Sequence, residues 1–160
     1  MGRLGVLAAL LAVAGCDGEA PAPSDVSKLA GVYAGTRTVV GDAPEVTPAT
    51  VTVTADAGRR TVAFVLAVRG EAAVVLPGTV AASGTIAAGN LLGTGTLGLE
   101  FVVDPSGTIR GAYEVATGDT ARSVASGVVA GRFTAEQFDL TLVEPEAGGV
   151  RVEYRTVRSR

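Results

Sequence analysis

Side chains able to do covalent or acid–base chemistry are scarce in this chain. There is no histidine at all, which removes the commonest general base and the commonest transition-metal ligand. Ser24, Ser27, Ser83, Ser106, Ser123, Ser126 and Ser159 are present, but none stands in a nucleophile elbow, where a strand, a glycine-flanked serine and a helix follow one another. Lys28, the only lysine, sits at the edge of a polar segment, a poor place to activate a serine. Gly93-Thr94-Gly95 and Gly98 would suit a phosphate loop only with a helix N-terminus behind them, and an alternating β stripe follows instead. Asp42, Asp104 and Asp119 fall in turn contexts, where carboxylates cap the local backbone, and no run has calcium-loop spacing. The expectation is no catalytic residue, no metal site, no cofactor and no enzyme. One reactive group remains: the thiol of Cys16, the sole cysteine.

Its setting is specific. Arg3 and the amino terminus precede an apolar run from Leu4 to Val13, about ten residues, which is the length of a signal-peptide core. A membrane-spanning helix needs roughly 20 apolar residues, and Asp17 and Glu19 end this run well short of that. Small Ala14 and Gly15 let an extended backbone into a peptidase cleft. The run Val13-Ala14-Gly15-Cys16 thus resembles the lipobox of bacterial lipoproteins. That resemblance implies cleavage between Gly15 and Cys16, removal of residues 1–15, and a lipid-bearing Cys16 as the first mature residue. Stable anchoring takes two chains, each buried CH₂ contributing roughly 0.8 kcal/mol, and a diacylglyceryl group supplies them. The implied place is the cell membrane or outer membrane, on the exported face. The alternative is an ordinary secretory signal with an incidental cysteine. N-myristoylation is disfavoured, because Val6 stands where that motif wants Ser or Thr.

Without Arg3 the 13 basic residues fall to 12, against 16 acidic ones. A mildly acidic protein is a poor partner for nucleic acid. No second cysteine is available for a disulfide, so an exported domain must hold on packing alone. Residues 17–27, DGEAPAPSDVS, have no period of two or 3.6 and read as a flexible spacer. The organisation expected is a signal peptide over 1–15, a lipidated cysteine and spacer over 16–28, and one domain over 29–160.

Within that domain the pattern has period two. Val51 and Val53 alternate with threonines, Val62, Phe64, Leu66 and Val68 with smaller residues, and Asp56-Ala57-Gly58-Arg59 makes the turn between them. Leu97, Leu99, Phe101 and Val103 form another stripe, ended by Asp104-Pro105-Ser106-Gly107. Ile109, Tyr113 and Val115, then Phe138, Leu140 and Leu142, then Val150, Val152 and Tyr154 continue it. Such alternation means one face buried and one wet, as in antiparallel sheet. The stretch from Glu71 to Leu92 is expected to hold two short strands around Pro77-Gly78 and Ser83-Gly84. Gly107 to Tyr113 and Gly127 to Phe133 both read Gly-x-x-x-Gly-x-aromatic, which fits one strand pair of a meander with glycines where the strands curve. The fold class is therefore all-β: a single antiparallel up-and-down barrel of about eight to ten strands, or alternatively a sandwich. A transmembrane barrel would show aromatic girdles; three Tyr and four Phe do not supply them.

Leu29-Ala30-Gly31-Val32-Tyr33, at the start of the domain, is similar to the Gly-x-Trp opening of the lipocalin and calycin barrels, with Tyr in place of Trp. The resemblance implies an aromatic ring plugging a closed end, with an arginine of the last strand across it. Arg151 or Arg155 is the expected partner of Tyr33. The same two arginines alternate with buried positions, which equally suits a solvated strand face. The resemblance further implies a small apolar ligand in the barrel, with Phe64, Phe101, Tyr113 and Phe138 as the expected lining. The alternative is a packed barrel acting as an interaction or scaffold module for another envelope protein.

Cys16→Ser is expected to abolish incorporation of radiolabelled palmitate and to release the protein from membranes or leave it unprocessed. Unchanged detergent-phase partitioning contradicts the lipid anchor.

Overall fold

The computed structural model describes residues 26–90, 97–117, 122–144 and 151–160; Gly15, Cys16 and most of the expected spacer lie outside them. A single 3-10 turn, Val26–Leu29, leads into ten strands: β1 (Gly31–Val40), β2 (Glu45–Asp56), β3 (Thr61–Val68), β4 (Val74–Val80), β5 (Ile86–Gly89), β6 (Leu97–Val103), β7 (Thr108–Thr117), β8 (Arg122–Phe133), β9 (Gln137–Val143) and β10 (Arg151–Arg158). Each strand pairs antiparallel with its neighbours in sequence, and β10 returns to pair with β1, so the sheet closes into one barrel. The sandwich alternative is overturned, because one continuous ladder links all ten strands. Closure leaves no edge strand with unpaired amides to recruit another chain.

Alternation in sequence becomes alternation in space. In β3 the residues Val62, Phe64, Leu66 and Val68 are buried and their neighbours are not; in β9 Phe138, Leu140 and Leu142 are buried. The expected stripes at 97–103 and 109–115 are β6 and β7, and the last stripe runs on beyond Tyr154 to Arg158. The stretch from Glu71 to Leu92 resolves into β4, which runs through Pro77-Gly78, and β5, with Ser83-Gly84 in the turn between them. Pro77 has no amide to give, and it is tolerated where the ladder to β5 is shortest: only Gly78, Thr79 and Val80 pair across that seam.

Tight turns at one end follow from their residues. The Asp104 carboxylate accepts the amides of Ser106 at 2.9 Å and Thr108 at 3.0 Å, and the Ser106 hydroxyl as well. These donors hold its pKa below the ordinary carboxylate value. Gly107 follows at a φ of 85°, a backbone region that a side chain disfavours. A Cβ there would also lie 2.4 Å from the Phe133 carbonyl oxygen. The two Gly-x-x-x-Gly-x-aromatic segments pair with each other: Tyr113 stands opposite Gly127, and the Phe133 amide donates to the Gly107 carbonyl at 2.7 Å. A Cβ on Gly127 would lie 2.6 Å from the Tyr113 ring. Each segment thus sets its aromatic residue over the other's leading glycine.

The interior is packed from one end to its middle by aromatic rings. Phe64 meets Phe101, Phe133 and Phe138 at centroid distances of 5.2, 5.4 and 5.8 Å, the first two edge-to-face. Phe133 also meets Tyr33 at 5.7 Å and Phe138 at 5.6 Å. Leu76, Leu99, Ile109, Leu140 and Val51 fill the gaps between them, all fully buried. The Thr156 hydroxyl, buried in this layer, donates to the Phe138 carbonyl at 2.6 Å, so it carries no unmet hydrogen bond into the core. Aromatic pairs contribute about 0.5–1.5 kcal/mol each beyond the area they bury.

Phe64→Ala removes the ring shared by three of these contacts. It is expected to lower the unfolding free energy by about 3–5 kcal/mol, read as a drop in the urea midpoint. A loss below about 1 kcal/mol would mean the layer collapses freely into the gap.

Candidate functional site: the two ends of the barrel

The strand directions give the barrel two unlike ends. One carries the 3-10 turn, the turns before β3, β5, β7 and β9, and the end of β10; the other carries the remaining connections. Tyr33 plugs the first end, fully buried. Its hydroxyl donates to the Leu29 carbonyl at 2.8 Å, with the Thr134 carbonyl at 3.2 Å as second acceptor. Burial pushes its pKa up, opposed by the nearby Arg158 charge.

The arginine beside this ring is Arg158, not Arg151 or Arg155. Arg158 is the residue of β10 that pairs with Tyr33. Its guanidinium donates to the carbonyls of Lys28 at 2.9 Å, Ala135 at 3.2 Å and also Ala30. One side chain thus ties the lead into β1 and the β8–β9 turn to the end of β10. Arg155 pairs with Thr36 in the middle of the strand, and its side chain is 71% exposed, 3.3 Å from the Glu153 carboxylate. Arg151 pairs with Val40 and Val143 at the other end of the barrel. The physical reason is strand parity: Tyr154 and Thr156 are buried in β10, so Arg158 shares their side and Arg155 takes the opposite one.

Among the described residues, the second end is hollow. A cavity of about 540 Å³ opens there, walled by Val74, Leu97, Val115, Leu142 and Val152, with Arg37, Glu71, Tyr113, Glu144 and Tyr154 among its polar lining. Of the four aromatic residues expected to line a pocket, only Tyr113 does so at this mouth. Phe64, Phe101 and Phe138 belong instead to the packed ring layer below. Rings that touch one another edge-to-face leave no room between them, so the hollow begins where the phenylalanines stop.

The polar groups of the mouth gather on β1, β10 and the β3–β4 connection. Arg37 pairs with Tyr154 across the β1–β10 ladder. Its side chain is only 14% exposed, and its Nη1 donates to Glu71 Oε2 at 2.6 Å. Burial works against the Arg37 charge, but the Glu71 carboxylate and the Tyr154 hydroxyl together raise its pKa. Burial also raises the pKa of Tyr154, with Arg37 pulling the other way, so the phenol stays neutral. Asn90 is engaged by the wall itself, donating to the Leu97 carbonyl at 3.0 Å and accepting the Leu99 amide at 2.8 Å. Among the described residues no three acidic side chains come together as a metal site requires. None of their helices is long and apolar enough to cross a membrane.

Arg37 and Glu71 were not among the residues expected to form a site. The signal for Arg37 lies in β1 itself: Tyr33, Gly35, Arg37 and Val39 share one side of the strand, so a guanidinium follows the plug residue into the interior. Nothing in the local pattern marks Glu71, which reaches the mouth from a turn. No family model, curated protein or solved structure matches the chain.

Arg158→Met is expected to cost about 1.5–3 kcal/mol, the range for a charged hydrogen-bond donor, and to speed amide exchange at Ala30. Arg155→Met, on the exposed face, is expected to stay within about 0.5 kcal/mol of the parent. Equal losses in the two variants contradict the assignment of Arg158 as the clasp.

Proposed function

We propose that this protein is a lipid-anchored, exported carrier that holds a small, largely apolar molecule in the mouth of its barrel. The observation that carries this reading is the division of the interior: a ring-packed half and a half left open as a cavity of about 540 Å³. Ligand sites span about 300–1,000 Å³ and combine apolar walls with a few convergent polar groups, a description this mouth meets. The anchor rests on the run Val13-Ala14-Gly15-Cys16 and its short apolar lead. Among the described residues, no side chain lining the mouth forms the pairing of nucleophile and base that catalysis needs.

The second reading, an envelope interaction module, draws on the barrel's outer wall. Outward positions of β1 to β5 are Val, Ala, Thr, Pro and Gly, with Asp56 at the end of β2 as the one charge. Val32, Val46 and Val75 are about half exposed on it. Docking through this wall would leave the mouth irrelevant.

Thermal unfolding of the full chain carrying Cys16→Ser, against a panel of fatty acids and isoprenoids, separates the two. At 100 times its Kd a true ligand adds about 2.7 kcal/mol, a rise in Tm of several degrees. No shift with any of them favours the interaction module.

A further inference from the structure

The carrier reading leaves the ligand's head unspecified, and the arginine in the mouth has more to offer than it uses. Arg37 Nε is buried and has no hydrogen-bond partner among the described residues. A guanidinium presents five N–H donors in a planar fork suited to two-oxygen acceptors, and here Nη1 is taken by Glu71, with Tyr154 standing beside the group across the β1–β10 ladder. A buried N–H without an acceptor is costly. Arg37 lines the cavity, so an arriving oxygen would relieve that cost once the side chain turns its N–H toward the guest.

Glu71 is the natural group to yield. It is 49% exposed and stands on the β3–β4 connection, directly after Gly70 at a φ of 85°, rather than on a strand. Its carboxylate therefore sits on Arg37 at little sacrifice if it returns to water. In chemical terms it fills the place of a carboxylate that belongs to something else. The rest of the cavity wall, from Val74 and Leu97 to Leu142 and Val152, suits an aliphatic body. Glu144, another carboxylate in the lining, disfavours a second negative charge on the guest; burial first, and then this charge, raise the Tyr113 pKa.

The geometry points to an amphipathic monocarboxylate as the ligand class: a single carboxylate on Arg37, beside the Tyr154 hydroxyl, exchanging with Glu71, and a hydrocarbon tail against the apolar wall. This rests on the carrier reading and adds the head-group site to it. Arg37 supplies affinity and selection; the tail alone would not distinguish an acid from an alcohol.

Calorimetric titration of the full chain carrying Cys16→Ser with decanoate and with decanol tests it. Decanoate is expected to bind at least about tenfold tighter than decanol, the worth of a charge-assisted hydrogen bond. Arg37→Met, which keeps an unbranched stem, is expected to abolish that gap between acid and alcohol. Glu71→Gln is expected to strengthen decanoate several-fold by removing the competing carboxylate. Equal binding of acid and alcohol by the parent overturns the head-group site and leaves the carrier standing. A gap that persists in Arg37→Met, or decanoate affinity that falls in Glu71→Gln, overturns it as well. If neither molecule binds, the carrier reading falls with it.

Discussion

Pairing of β1 with β10 is the constraint from which both ends of this barrel follow. One ladder sets Tyr33 against Arg158 and, four positions along, Arg37 against Tyr154. At the first pair the phenol ring plugs the interior and the guanidinium clasps three carbonyls around it. At the second pair the roles are exchanged: the guanidinium goes inward, with the phenol opposite it in the ladder. A slip of one residue would send both inward partners to the outer face. The same register that closes the wall therefore decides what the mouth presents.

Between those pairs the interior divides by side-chain volume. Tyr33, Phe64, Phe101, Phe133 and Phe138 form a connected cluster of ring contacts, and Val51, Leu76, Leu99, Ile109 and Leu140 are buried with them. Toward the mouth the apolar inward residues are Val, Ala and Leu, with Arg37, Tyr113 and Tyr154 as the large side chains among them. Ring packing gives the first half its rigidity. The missing volume gives the second half its cavity, at no cost to the closed wall. Barrels of this width are filled or hollow according to which side chains are supplied, and this one is supplied with both.

Much of this was legible in the chain, for a definite reason. Strict alternation in Val62 to Val68, Leu97 to Val103 and Phe138 to Leu142 marks half-buried strands because the side-chain period of a strand is two. The turn at Asp104 to Gly107 was legible because an aspartate followed by a glycine two residues past a proline-started bend satisfies the backbone locally. What escaped was long-range. That Phe64, Phe101 and Phe138 form one layer depends on which strands face each other through the interior, and spacing along the chain does not say this. Arg155 and Arg158 differ by three positions, an odd number, so they lie on opposite sides of β10; the choice between them required knowing where the strand ends. Glu71 reaches Arg37 across 34 positions of sequence, from a turn with no period at all.

The 3-10 turn Val26–Leu29 and the last residues of β10 meet at the plugged end, where Arg158 binds Lys28 and Ala30. Both polypeptide leads thus depart from the pole opposite the cavity. On the lipid-anchored reading, the nine positions 17–25 would span at most about 30 Å between the anchor and this pole. The opening would then sit on the side of the barrel away from the anchor. Cargo would be exchanged with soluble donors and acceptors, and delivery into the anchoring leaflet itself would require the whole barrel to topple.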